Sequence, residues 1–264
     1  MGESMRRAAT IVMLVLGAAL TACTTDDPPK TGTARTTPAS TEPTSASPAP
    51  TGPAATASGG PAAMLPGRHQ PLWPFADAAQ VRTWQRSYRT AGTAAWHLDA
   101  ERTALRFTRD HLGFTEIDRV TSRDVKGRDA HIGVGYRTEG SRTGTAAVLH
   151  LIRTGEGGDA PWEVVGSDDT TLQVLSPAYA SRVTSPMTVG GRITGVDESV
   201  RVTVLGVGST EPVGEYCCVT AGGEDSPWSA KVAFEPGGGV LTVVVSTGGH
   251  LKEVERFALT GVRP

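Results

Sequence analysis

The sequence predicts two folded bodies in series, an α+β domain and then an all-β sandwich, behind a secretory leader. Three observations predict this. Apolar residues recur at helical spacing between residues 77 and 112. The pattern then changes to alternation, with Ala130, Ile132, Val134 and Tyr136 interleaved with His131, Gly133, Gly135 and Arg137. After Pro177 the helical signal ends, and short apolar runs recur between clusters of Gly, Pro, Asp and Ser.

The leader comes first in the chain. Arg6 and Arg7 precede an apolar run, residues 11–20, which closes on Leu20-Thr21-Ala22-Cys23. The run is about ten residues, and about 20 are needed to cross a hydrocarbon core, so a signal peptide fits and a transmembrane helix does not. Small residues at 21 and 22 let a peptidase reach the backbone, and the Cys that follows supplies the sulfur for a diacylglyceryl group. The segment resembles a bacterial lipoprotein signal. That resemblance implies removal of residues 1–22, lipidation of Cys23 and, with an added amide-linked acyl chain, a stable membrane anchor.

Residues 23–68 are nearly all Thr, Pro, Ala, Ser and Gly. Such a segment buries too little apolar surface to offset its ordering entropy, so it is expected to be a disordered tether. The α+β domain is expected over 69–177. Its first helix covers 77–90, with Asp77 as N-cap and Gly92 beyond its end. Its second covers 99–112, with Gly113 as the stop. Strands follow at 130–137, 145–153 and 162–166, with 171–175 finishing the sheet. Two helices and then a curved antiparallel sheet resemble the cone of nuclear transport factor 2-like or cystatin-like folds. That likeness is architectural and transfers no site.

The second body is expected over 178–264, with strands at 189–193, 200–205, 215–219, 228–234, 241–246 and 255–259. Val183-Thr184-Ser185-Pro186-Met187-Thr188-Val189-Gly190-Gly191 resembles the opening of the bacterial spore germination immunoglobulin-like domain. The runs 200–204, 228–234 and 240–246 match its later strands. The resemblance covers roughly the last third of the chain and departs from the pattern at Cys217-Cys218. It implies an immunoglobulin-like sandwich and an association with germination or envelope proteins, and it carries no catalytic residue.

Composition bounds the function. A net charge of −2 gives no basic field for nucleic acid. With Cys23 lipidated, Cys217 and Cys218 remain. They are read as two buried thiols, as a vicinal disulfide, or as a pair engaged in intermolecular or metal chemistry.

The histidines are His69, His97, His111, His131, His150 and His250, and none has the close spacing that offers two imidazoles to one metal. His131 and His150 fall on neighbouring predicted strands and can face each other. A pocket of the cone could bring His111 to them, with Asp99 or Asp110 as acid–base partner. Asp168, Asp169 and Glu163 are a further carboxylate group, read as a solvated turn and not a cation loop. The Gly-rich runs at 155–158 and 237–239 join strands, so they read as turns and not phosphate cradles. No Gly-x-Ser-x-Gly elbow occurs. Trp73 and Trp96 are the tryptophans best placed to stack on a sugar.

The expectation is therefore a lipid-anchored protein on the extracytoplasmic face of the cell membrane. It binds or scaffolds an envelope protein or a wall polymer, with no catalytic residue, cofactor or metal assigned. One alternative is a small-ligand carrier or enzyme using a pocket of the α+β domain. Another is a redox or copper-handling protein using Cys217 and Cys218.

Overall fold

The strongest local signals form elements close to their expected places. In this computed structural model, which describes residues 65–264, helix α1 runs over Ala78–Ala91. The Asp77 carboxylate accepts from the amides of Ala79 and Gln80, and Gly92 follows with φ 65°. Helix α2 covers Ala100–Arg106, capped by Asp99, and continues as a π-helical turn over Phe107–His111. The residues expected to form the signal peptide, Cys23 and most of the expected tether lie outside the described residues. At the end of the expected tether, Leu65 forms an antiparallel bridge with His69.

The first sheet is antiparallel, in the order β1 (Arg119–Lys126), β2 (Asp129–Arg137), β3 (Thr143–Arg153), β4 (Trp162–Ser167). Strand β1 was not expected. Its sequence RVTSRDVK is polar and half exposed along an edge, so it lacks apolar alternation. Helix α2 and its π-turn lay Ala104 and Phe107 against Ile132, Val134, Leu149 and Trp162 in one core. The strap of residues 70–75 extends the sheet beyond β4. The Leu72 amide donates to the Val164 carbonyl, and the Val164 amide donates to the Trp73 carbonyl.

The second sheet is also antiparallel, in the order β5 (Leu172–Ser176), β6 (Met187–Gly206), β8 (Leu241–Thr247), β9 (Arg256–Val262), with β7 (Pro212–Val232) paired to β6. Two expectations need correction here. Strand β5 does not finish the first sheet; it pairs with β6, so the chain changes sheets before residue 172 and not at 177. The expected strands 189–193 and 200–205 are one strand, as are 215–219 and 228–234. The Gly and Asp residues read as breaks are bulges, with register shifts between Ile193 and Gly195 and between Gly195 and Glu198. The ribbon bends there. Val189 and Trp228 from one half then share a core with Val202 of the other half and Val243 of β8.

Phe257 and Leu259 of β9 pack into the first core, and Phe114 meets Phe257 at 5.3 Å. The described residues are thus mostly β-sheet, with two short helices and two antiparallel sheets in contact.

Gly191 marks the tightest strand approach. A Cβ there would overlap the Gln173 carbonyl oxygen and press on Val174. Because that obstacle is backbone, G191A is expected to cost about 3 kcal/mol in urea unfolding. G206A, on the same strand with nothing near its Cβ, is expected to stay within about 0.5 kcal/mol of the parent.

Candidate metal centre

Ala130 and Ile132 of β2, like Leu149 and Leu151 of β3, point into the core. Strand alternation therefore turns Asp129, His131 and His150 to the opposite face. The register pairs His131 directly with His150. Asp168 follows β4, whose Gly166 pairs with His150. Three adjacent strands thus bring two imidazoles and two carboxylates to one patch.

The geometry is close. The imidazole rings stack in parallel, 4.5 Å apart and 8° from coplanar. His131 Nδ1 lies 2.9 and 2.8 Å from the two Asp168 oxygens. His131 Nε2 lies 3.1 Å from Asp129 Oδ1, and His150 Nε2 lies 3.1 Å from Asp129 Oδ2. Burial pushes the Asp129 carboxyl up, but the hydrogen bond from His150 and the charges of His150 and His131 outweigh it and hold the carboxyl below the usual range.

The proton positions follow from the partners. Asp168 can only accept, so His131 Nδ1–H donates to it. His131 Nε2 is then a lone pair 3.1 Å from an oxygen of the part-exposed Asp129 carboxylate, where a cation shared by the two would be favourable. Either a proton or a metal ion can be that cation. Protonating both stacked rings would set two like charges face to face, whereas one divalent ion would balance the two carboxylates. A carboxylate that orients a histidine whose other nitrogen faces a ligand cluster is the usual outer support of a metal site. The donor atoms of Asp129, His131 and His150 all lie within 4.8 Å of one another, the one such group of three among the described residues.

The sequence expectation paired His131 with His150 but assigned no metal and overlooked Asp129. The missed signal is Asp129-x-His131, a two-residue spacing that puts both side chains on one face of a strand. His111 does not join them. It packs on the core side against Trp73 and Phe107, 5.9 and 5.5 Å away, and burial pushes it down to about 4. Asp99 is occupied as a helix cap, and Asp110 pairs with Arg106 at 3.3 Å. Asp168, Asp169 and Glu163 form no cation loop, since Asp168 turns to His131 while Glu163 is buried beside Thr154. Trp73 and Trp96 stack on each other at 5.3 Å, and the Arg106 guanidinium covers Trp96 at 4.9 Å, so their faces are used internally. Residues 155–158 and 237–239 connect strands.

Two clefts flank these features. One, of about 400 Å³, opens beside His69 and His150. The other, of about 290 Å³, lies between residues 112–117 and the second sheet and is lined by Phe114, Arg201, Cys218 and Thr247. Cys217 and Cys218 are joined as a disulfide on the exposed face of β7, unlike the reading as two buried thiols. No helix among the described residues is long and apolar enough to cross a membrane. No family model, curated protein or solved structure matches the chain.

Proposed function

We propose that this chain is a lipid-anchored extracytoplasmic lipoprotein whose folded part binds a divalent transition-metal ion. The convergence of Asp129, His131 Nε2 and His150 Nε2, with Asp168 orienting His131, is the observation that supports it. Two imidazoles with one carboxylate suit Zn²⁺, Cu²⁺, Ni²⁺ or Fe²⁺ and disfavour Ca²⁺ and Mg²⁺, which take oxygen donors.

In this reading Cys23 carries the lipid, residues 23–68 hold the body off the membrane, and the metal is captured from the surroundings. The helices with the first sheet make the nuclear transport factor 2-like cone, and the second sheet makes the immunoglobulin-like sandwich. That sandwich offers loops and strand edges to an envelope protein or wall polymer, in a setting such as germination or sporulation. The activity is binding, not turnover.

Calorimetric titration of the full chain with Zn²⁺ tests the site. One ion is expected per chain, with binding lost in H131A/H150A. The variant D168N leaves the ligands but removes the charge that orients His131, and is expected to weaken binding about 10- to 100-fold. A parent chain that binds no ion, or a double variant that binds as well as the parent, overturns the reading. The two histidines are partly exposed, so their loss leaves the core intact.

A further inference from the structure

The segment just before the strap lies beside His150 of the candidate metal cluster. From Leu72 onward the chain is held firmly, because Leu72 is fully buried and residues 72 and 73 bond to β4. Residues 65–69 are held less. Their loop closes through the Leu65 amide to the His69 carbonyl and the Arg68 amide to the Leu65 carbonyl. It turns through two left-handed residues, Gly67 at φ 75° and Arg68 at φ 65°. Beyond it, the Gln70 amide donates to the Tyr179 hydroxyl at 2.6 Å. The side chain this loop presents to the sheet is His69, whose ring stands edge-on to His150 at 5.1 Å, perpendicular to it. Both rings line the 400 Å³ cleft with Arg68, Ser167, Asp169 and Tyr179.

Three protein donors leave a tetrahedral ion with one position, which water fills in open sites and a fourth side chain fills in closed ones. His69 already touches one of the three donors. As it stands its ring is not among the three donors gathered at the cluster, so ligation requires a change of its side-chain rotamer. We propose that His69 is the fourth ligand, so that a bound ion fastens the loop of residues 65–69 to the first sheet. This inference rests on the metal reading above. It makes the junction between tether and body dependent on the metal. The loop needs such a tie, since a non-glycine residue at φ 65° costs about 1 kcal/mol.

Arg68 is exposed, and the peptide that follows it leads directly into His69, so trypsin reads the state of the loop. The full chain is digested with and without Zn²⁺, and cleavage after Arg35 in the same digest reports any effect of Zn²⁺ on trypsin itself. Zn²⁺ is expected to slow cleavage after Arg68 by about tenfold or more in the parent and to leave it unchanged in H69A. H69A is expected to bind Zn²⁺ still, about tenfold or more weaker, because three ligands remain. If H69A binds as tightly as the parent, or keeps the metal-dependent protection of Arg68, His69 is not a ligand and the three-residue site stands alone. If the parent binds no Zn²⁺, the failure lies in the metal reading itself. Binding by the parent that H131A/H150A retains places the ion elsewhere and removes both.

Discussion

Glu163→Gln is expected to stabilise the chain by about 3 kcal/mol at pH 8 and to destabilise it by about 1 kcal/mol at pH 4. Glu163 sits on β4 with no exposed surface. The Thr154 hydroxyl donates to one of its oxygens, and the other oxygen is buried without a partner. Burial pushes its carboxyl up to about 8, and the charge of Asp77 adds to the rise. The folded chain therefore keeps this proton when the unfolded chain, with its carboxyl near about 4.5, has released it. A raised carboxyl pKa contributes its stability fully below the unfolded value. That stability is lost as the pH climbs through the folded value. Between pH 4.5 and 8 the loss amounts to about 4 kcal/mol. Gln cannot ionise, so it escapes the loss, and its carbonyl still accepts from Thr154. Its amide takes the place of the unpartnered oxygen and adds a cost of about 1 kcal/mol at every pH, which leaves a net gain of about 3 at pH 8. For a body of this size the melting temperature rises by about 6 to 12 °C at pH 8. Urea unfolding at pH 4 and pH 8 gives the answer. Equal stabilities of parent and variant at pH 8 would mean that Glu163 is not held neutral.

The same strand shows why the site was harder to read than the fold. Helix α1 was legible because Asp77, the apolar spacing and Gly92 are local signals that act within one turn of the chain. Strand β1 was not, because RVTSRDVK is an edge strand whose stability comes from its neighbour β2. The merging of short predicted strands into β6 and β7 was hidden for a related reason. Gly195 and Gly223 look like turn residues, but each stands opposite the other as a bulge in a continuous ribbon. At the metal cluster the facing of His131 and His150 could be foreseen from their places on adjacent strands. Asp168 could not, because it approaches only after β4 has paired with β3. A spacing rule applied along β2 finds Asp129 with His131, but not His150 on β3 or Asp168 after β4.

Two buried histidines set the other side of the pH profile. His97 is enclosed by Phe75, Trp84 and Trp96, with ring centroids 4.8, 5.0 and 3.6 Å away. His111 lies against Trp73 and Phe107, and each histidine has a buried ring nitrogen without a partner. Burial pushes both down to about 4, with the charge of Arg106 adding to the effect at His97. Both rings therefore stay neutral in the folded chain where the unfolded chain takes up protons below about 6.5. Their stability is complete above that value and is lost as the pH falls toward 4, by about 3 kcal/mol for each ring. Between pH 4.5 and 6.5 unfolding therefore takes up about two protons at the histidines and releases about one from Glu163. Stability rises with pH across that window. Above 6.5 only the release from Glu163 remains, and stability falls. These three groups place the maximum near pH 6.5. Calorimetric unfolding of the metal-free chain at pH 5.5, in buffers of different ionisation heat, counts the protons directly. Uptake of about one is expected for the parent and about two for E163Q, whose stability no longer declines above pH 6.5. A parent chain equally stable at pH 4.5 and 6.5, or one that unfolds at pH 5.5 without taking up protons, would mean that the aromatic enclosures do not keep His97 and His111 neutral.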